Sequence, residues 1–540
     1  MSTTIKNTQQ KSALSPFKYR VFTVMWLAAL VSNIGTWMHS VGAGWLMTSL
    51  SPSAIDIALV QTATTLPVFL FALPAGALAD IFNRKTLLIL TNIAMLGAAI
   101  VFAMIVSFEQ VTVNSLLLFT FLLGAGAAFM APAWQSVIPS MVKSEDLPQA
   151  VALGGISINL SRAIGPALAG ILISIYGIAS PFIANAISFI MIISALWWWQ
   201  YSPPEISRTR SPEHIGSAMK AGVRFALHST ALKATMWHVF GFMFFANAFW
   251  GLLPLLSKEQ LAGDATFFGL MMGAIGFGAV AGGLVLPRIK NHLNANQMVI
   301  VGTLGTSLVT AFFAITTHQN AALFASLIFG VSWILVLASF NTSAQLALPE
   351  WVRARGLAVF LMVFFGSMSL GATFWGWLAS VASMQTAMIS AAIGGVVFIF
   401  FSYQSKLQQS KTDDHSPSHH WPEPASLDRD LYEAGPVKIQ ICYEIDIKNK
   451  NAFLQAIYRL KDIRGRNGSH SWGVYEDTDN ESFFIEHFME DSWEQHLRHH
   501  DRVTHADKPL QDAVLAFHKG LTAPKVKHYL AAYPIKGDKS

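Results

Sequence analysis

Residues 57–79 and 86–107 carry no charged side chain, and each run is long enough to cross a bilayer, which takes about 20 apolar residues. Hydrocarbon offers the backbone no water to bond. A spanning run must therefore satisfy its own N–H and C=O groups, and both runs are expected to be helices. Ten further apolar runs lie at 20–47, 114–138, 149–175, 181–199, 234–256, 265–287, 297–317, 321–347, 356–380 and 384–404. The expected fold is an all-α polytopic membrane protein with twelve transmembrane helices in two six-helix bundles. Composition agrees: 12% of the 540 residues are charged, against about 25% in soluble domains.

The charges that remain are sorted by side. Lys6, Lys11, Lys18, Arg20, Arg84, Lys85, Lys143, Arg208, Arg210, Lys220, Arg224, Arg288, Lys290, Arg353 and Arg355 fall on one face, and the opposite loops hold Lys258 and almost nothing else. Basic loops stay inside, so both termini are expected in the cytoplasm. The net charge of +5 then reflects topology and calls for no nucleic-acid partner. The single cysteine, Cys442, allows neither an internal disulfide nor a multi-cysteine metal site. The first fifteen residues are polar and lack the apolar core of a cleavable signal peptide. No Gly-rich loop with a phosphate-binding lysine is present, so an ATP-driven pump is not expected; no cofactor site is recognisable, and the chain is not expected to be an enzyme.

A repeat underlies the two groups. Gly76 and Gly282 stand 206 residues apart, as do Leu78 and Leu284, Arg84 and Lys290, Gly124 and Gly330, Gly165 and Gly371, and Gly170 and Gly376. Gln135 and Pro139 match Gln345 and Pro349 with a shift of four more. One offset held from the second helix to the fifth supports two equivalent halves. The expected domains are an N-terminal bundle (1–200), a cytoplasmic linker with an amphipathic helix (201–233), a C-terminal bundle (234–405), a flexible tether (406–436) and a cytoplasmic domain (437–540). In the last, alternating and helical patterns follow the order β-α-β-β-α-β, a ferredoxin-like sandwich. Its order and size resemble the small dimeric α+β barrels related to antibiotic-biosynthesis monooxygenases, and the expected role is dimerisation or ligand sensing rather than catalysis. His487, His496, His499, His500 and His505 have irregular spacing and are expected to be solvated helix histidines, with no metal bound.

Within the spans, Arg162 is the only charge at depth, about 20 Å along the fifth helix from Gln149. A charge there is costly and by default functional, facing a cavity or a partner; a structural arginine bonded to carbonyls is the alternative. Asn33, Trp37, Gln135, Asn159, Asn247, Asn341 and Gln345 join it as expected lining of a substrate pathway, because aromatic walls with a few amides suit an amphiphilic organic ligand. At mid-membrane there is no Asp or Glu to carry a proton; Asp56, Asp264 and His39 lie nearer the outer side.

The loop from Gly76 to Lys85 adds a family likeness. Gly-x-Leu-Ala-Asp-x-x-x-Arg-Lys resembles the loop signature between the second and third helices of the major facilitator superfamily, with Ile81 and Asn83 departing from it. The resemblance implies a gate in which Asp80, with Gly76, Arg84 and Lys85, faces the start of the eleventh helix near Gly356. Gly165-Pro166 with Gly170 resembles the fifth-helix signature of the family's exporters, and Gly371 and Gly376 repeat its glycines as helix-packing positions. The segments Ser32–Met38, Ala63–Pro67, Gln345–Arg353 and Phe365–Gly371 are similar to the transmembrane secretion effector branch, whose members include enterobactin exporters. Over most of residues 15–405 this implies a secondary transporter of the bacterial inner membrane that exports a small siderophore-like or drug-like molecule, with the lipid bilayer as surroundings and proton coupling left open. Two alternatives stand beside it: a membrane-tethered enzyme whose tail modifies the cargo, and a transporter-derived sensor.

Overall fold

The computed structural model describes residues 12–201, 215–409, 416, 418, 421 and 434–532. Lys6, Lys11, Arg208, Arg210, most of the tether and the side chains of Asp80 and Ile81 lie outside the described residues. The first group of spans is α1 (Arg20–Leu50), α2 (Ala54–Ile81), α3 (Arg84–Ser107), α4 (Val113–Val137), α5 (Leu147–Tyr176) and α6 (Ser180–Trp198). A short α7 (Ile215–His228) precedes α8 (Thr230–Leu255), α9 (Ala265–Lys290), α10 (Ala295–Ile315), α11 (Gln319–Leu346), α12 (Arg353–Val381) and α13 (Met384–Ser402). All but α7 are long and apolar enough to cross a membrane, which gives the expected twelve among the described residues. Below, the Arg20 end of α1 marks the near side and its Leu50 end the far side.

Helix starts leave N–H groups without partners, and the loops supply them. Asn83 accepts from the Thr86 amide at 3.2 Å, Thr112 and Ser115 form a capping box, and so do Asn294 and Gln297. Asp264 accepts from the Phe267 amide at 2.7 Å. At the other end of α5, Gly177 takes φ +82°, which glycine adopts without a Cβ clash.

The repeat in the sequence is a repeat of contacts. A Cβ on Gly165 would lie 2.6 Å from the Trp37 Cβ, so α5 meets α1 there; its counterpart Gly371 abuts the Phe244 carbonyl, where α12 meets α8. Gly170 lies against Ala265 and Thr266 of α9, and Gly376 against Ala58 and Ile55 of α2. Gly124 faces the Thr64 carbonyl of α2, and Gly330 the Ile275 carbonyl of α9. Each pair joins equivalent helices of the two halves, and small residues let the backbones close. The hinge is unequal: Gly282 is packed against Val331 and Ile334, while Gly76 has open space around it.

The chain forms two compact units. One comprises Met1–Pro212, Met236–Asn341 and Phe360–Leu407; the other comprises Glu213–Thr235, Thr342–Val359 and Gln408–Ser540. The second unit thus contains α7, the near ends of α8, α11 and α12, and the tail. In the tail, β1 (Val437–Glu444), α14 (Lys450–Tyr458), α15 (Leu460–Asn467), β2 (His470–Glu476), β3 (Phe483–Glu490), α16 (Trp493–Arg502), α17 (Lys508–Leu515) and β4 (Lys525–Leu530) follow the expected order. The sheet is antiparallel, ordered β2-β3-β1-β4. Alternate residues of the sheet are buried against the helices, Tyr443 and Phe484 with Phe453 and Ile457 of α14, and Ile439 and Phe488 with Trp493 of α16, so period-two patterning sends one sheet face to the helices.

Candidate functional site

Where the two halves meet, α5 runs against α9 and α2 against α12. A Cβ on Gly269 would sit 2.5 Å from the Pro166 carbonyl oxygen, and one on Gly276 would sit 2.7 Å from the Arg162 carbonyl oxygen. On the other flank the Thr62 and Thr373 hydroxyls are 3.0 Å apart, and Thr62 also donates to the Ser369 carbonyl at 3.3 Å. At the far ends Lys258 donates to the Thr48 carbonyl at 2.6 Å, tying α1 to the turn after α8. These contacts occupy the far half of each helix and make a closed seam.

Arg162 stands at the near-side edge of that seam. Its backbone touches α9, and its guanidinium lies over the Trp37 ring at 5.5 Å. The side chain is half-buried, its Nε is buried without a hydrogen-bond partner, and no carboxylate pairs with it among the described residues. The structure thus brings Arg162 and Trp37 together. Asn247 is also deep: its amide donates to the Met368 carbonyl and its Oδ1 is buried without a partner.

The other expected lining residues are dispersed. Asn159 and Asn341 give their amides back to the carbonyls of Gly155 and Leu337, each at 2.9 Å. Asn33 is half-buried, and Gln135 and Gln345 are exposed. Of the residues near the far side, Asp264 is a helix cap, and Asp56 accepts from the Ser51 hydroxyl at 2.6 Å. His39 is buried edge-on against Phe182. At the near-side loop, Arg84 donates to the Ser136 carbonyl at 3.3 Å and Lys85 to the Trp199 carbonyl at 2.5 Å. Gly356 packs on the Leu348 side chain. The carboxylate of Asp80 lies outside the described residues.

Three features were missed in the sequence. A cavity of about 350 Å³ lies between α8, α10 and α13, lined by Phe242, Phe245, Thr303, Thr306, Ser307 and Lys406 among others, and by none of the expected pathway residues. Its signal is the hydroxyl stripe of Thr303, Thr306, Ser307 and Thr310, spaced to share one helix face. Asp146, 1% exposed, accepts from Ser15 and Tyr19 and pairs with Lys18 at 2.7 Å, pinning the N-terminal turn to the start of α5.

The third is in the tail, where the expectation of solvated histidines is overturned for His496 and His499. Both are buried, and both turn Nδ1 to Glu490, at 2.9 and 2.5 Å. Burial alone would raise the Glu490 carboxyl; the two imidazoles bonded to it more than offset this and hold it below the usual carboxylate range. Burial lowers His499 below the usual imidazole value; it also lowers His500, to about 3, and His528, to about 4, with His496 adding to these two. Beside them Glu486 accepts from Arg464 at 2.9 Å, from Trp472 at 3.0 Å and from Tyr443 at 3.1 Å. Among the described residues no three His, Cys, Asp or Glu are arranged to hold a metal ion.

Comparison with known proteins fits this architecture. The chain is 25% identical over 297 residues to the staphyloferrin A transporter of Staphylococcus aureus, covering 52% of this chain and 73% of that one. It is 26% identical over 386 residues to the enterobactin exporter EntS of Salmonella choleraesuis, covering 69% and 88%. Among solved structures, a peptide transporter of the POT family aligns with TM-score 0.59 at 13% identity over 71% of this chain and 96% of that one. A bacterial homologue of the lysosomal transporter Spinster, inward-facing and unoccupied, aligns with TM-score 0.56 at 14% identity over 74% and 98%. These two show the fold alone. The model of the transmembrane secretion effector family matches residues 11–534, tail included. With twelve spans in two contact-equivalent halves, the chain belongs to the transmembrane secretion effector family of major facilitator transporters.

Proposed function

We propose that the protein exports an acidic, partly aromatic organic molecule of siderophore type from the bacterial cytoplasm, by alternating access, with both termini inside. The observation that carries this is Arg162: a cation without a carboxylate partner among the described residues, seated on Trp37 where the far-side seam ends. An anion entering from the near side meets a guanidinium that can bind it through two hydrogen bonds and an aromatic face beside it. The closed far side supports an inward-open resting state, and the basic near-side loops support its cytoplasmic orientation. The relatives, a staphyloferrin A transporter and enterobactin exporters, support the cargo class. Asp80 and Arg84 act as the near-side gate when the halves rock. The tail carries its helices on one sheet face, and the other, with Tyr475 stacked on His487, is where a second copy pairs.

Metabolite profiling of medium and cells during iron-limited growth tests the reading. Deleting the protein should move one acidic iron chelator from medium to cells, and restoring the wild-type chain should return it. An unchanged extracellular profile would reject export of this class.

A further inference from the structure

We propose that the tail domain is a built-in regulator of the transporter, holding the start of α12 through Arg502 stacked on Trp351. All the residues involved belong to the second compact unit, which groups the tail with α7 and the near ends of α8, α11 and α12. Trp351 lies in the short turn Glu350–Val352 between α11 and α12. The Arg502 guanidinium lies 4.4 Å from the centre of its ring, and Phe225 of α7 meets the ring edge-on at 5.9 Å.

Arg502 is itself fixed from behind. It is 6% exposed, and its Nη1 donates to the Asn467 carbonyl at 3.0 Å. The next carbonyl, that of Gly468, accepts from Arg224 of α7, and Arg224 also faces Asp491 at 3.7 Å. Asn467 and Gly468 close α15, where helix carbonyls lack intrahelical partners and the macrodipole favours cations. Gly468 takes φ +128°, and a Cβ there would stand 3.3 Å from Arg502 Nη1. One helix end therefore gathers two arginines, one from the linker helix and one from the end of α16. The clasp of His496 and His499 on Glu490 anchors α16 to β3.

The grip extends to the neighbouring near ends. Gly222 of α7 is closed against Arg355, where a Cβ would sit 2.8 Å from the Arg355 Cβ. Ser343 at the end of α11 bonds the Thr235 hydroxyl at 2.8 Å and accepts from the Gln408 amide at 3.0 Å. A tail merely carried along needs none of these contacts. Residues 353–359 open the spanning helix α12, so whatever shifts α16 shifts the start of a helix that must move during transport. That consequence rests on the transport reading above; the mechanical link does not.

Hydrogen exchange on the full-length protein in lipid nanodiscs tests the link, read in each case at the site distant from the substitution. Arg502→Gln should raise exchange of amides 353–359 at least tenfold while β1 and β3 keep wild-type protection, and Arg502→Lys, which keeps a cation over the ring, should restore most of it. Trp351→Ala should reciprocally raise exchange across α16, since coupling between two sites is mutual. Wild-type exchange at both distant sites would overturn the proposal. Neither readout requires cargo, so a failed export assay and a failed link are distinguishable.

Discussion

At the scale of single residues the account turns on Arg162. Arg162→Ala should reduce export at least tenfold at unchanged membrane level, because it removes the one deep cation near the seam among the described residues. Arg162→Lys keeps the charge and loses the planar fork, so an intermediate rate is expected. Direct quantification of secreted chelator, with immunoblotting for expression, checks both. Gly170 makes a packing prediction: its absent Cβ would lie 2.7 Å from the Ala265 carbonyl. Gly170→Val should destabilise the seam by about 1–3 kcal/mol through overpacking, read as a lower melting temperature in detergent, whereas Gly155→Ala, with open space around it, should not. Arg162 was legible because a lone charge in an apolar run is conspicuous. Asn159 and Asn341 were not, since lipid-facing and core-facing positions are both apolar in a membrane, and nothing in the pattern fixes which side of the helix an amide occupies.

At the scale of elements, the tail shows what sequence spacing conceals. His496 and His499 are one helical turn apart on α16, in step with buried Trp493 and Val503; that periodicity was available, but the string of histidines and charges masked it. Element order in the tail was readable from its alternating and helical patterns, while the pairing of Glu490 with two imidazoles was not, because partners on different elements leave no local trace. The cluster predicts acid sensitivity. His499, His500 and His528 have folded pKa values below the ordinary 6.5, so the unfolded chain takes up protons first and stability is lost as pH falls from about 6.5 toward about 4. Glu486 and Glu490 are held low, so their contribution is present above the ordinary carboxylate value and is lost below it. Both signs agree: protection of β1 and β3 in hydrogen exchange, corrected for intrinsic rate, should fall on going from pH 7.5 to 5. Protection that rises instead would contradict the buried clasp. Glu490→Ala should cost the domain about 1–3 kcal/mol for each buried imidazole left without its hydrogen-bond partner.

At the scale of the molecule, the twelve spans and their two-fold repeat were readable because each apolar run is unambiguous and the glycines recur at one offset. The structure adds the reason for the offset: equivalent glycines sit at equivalent helix crossings, so the repeat marks close approach rather than ancestry alone. The central claim is that the seam on the far side must open for cargo to leave. Thr62 and Thr373, whose hydroxyls are 3.0 Å apart across it, are placed for a disulfide. Cys442 is the chain's only cysteine, so Cys442→Ser gives a clean background. In Thr62→Cys with Thr373→Cys, oxidation should stop export and reduction should restore it. Export at the wild-type rate with the cross-link fully formed would contradict alternating access through this seam.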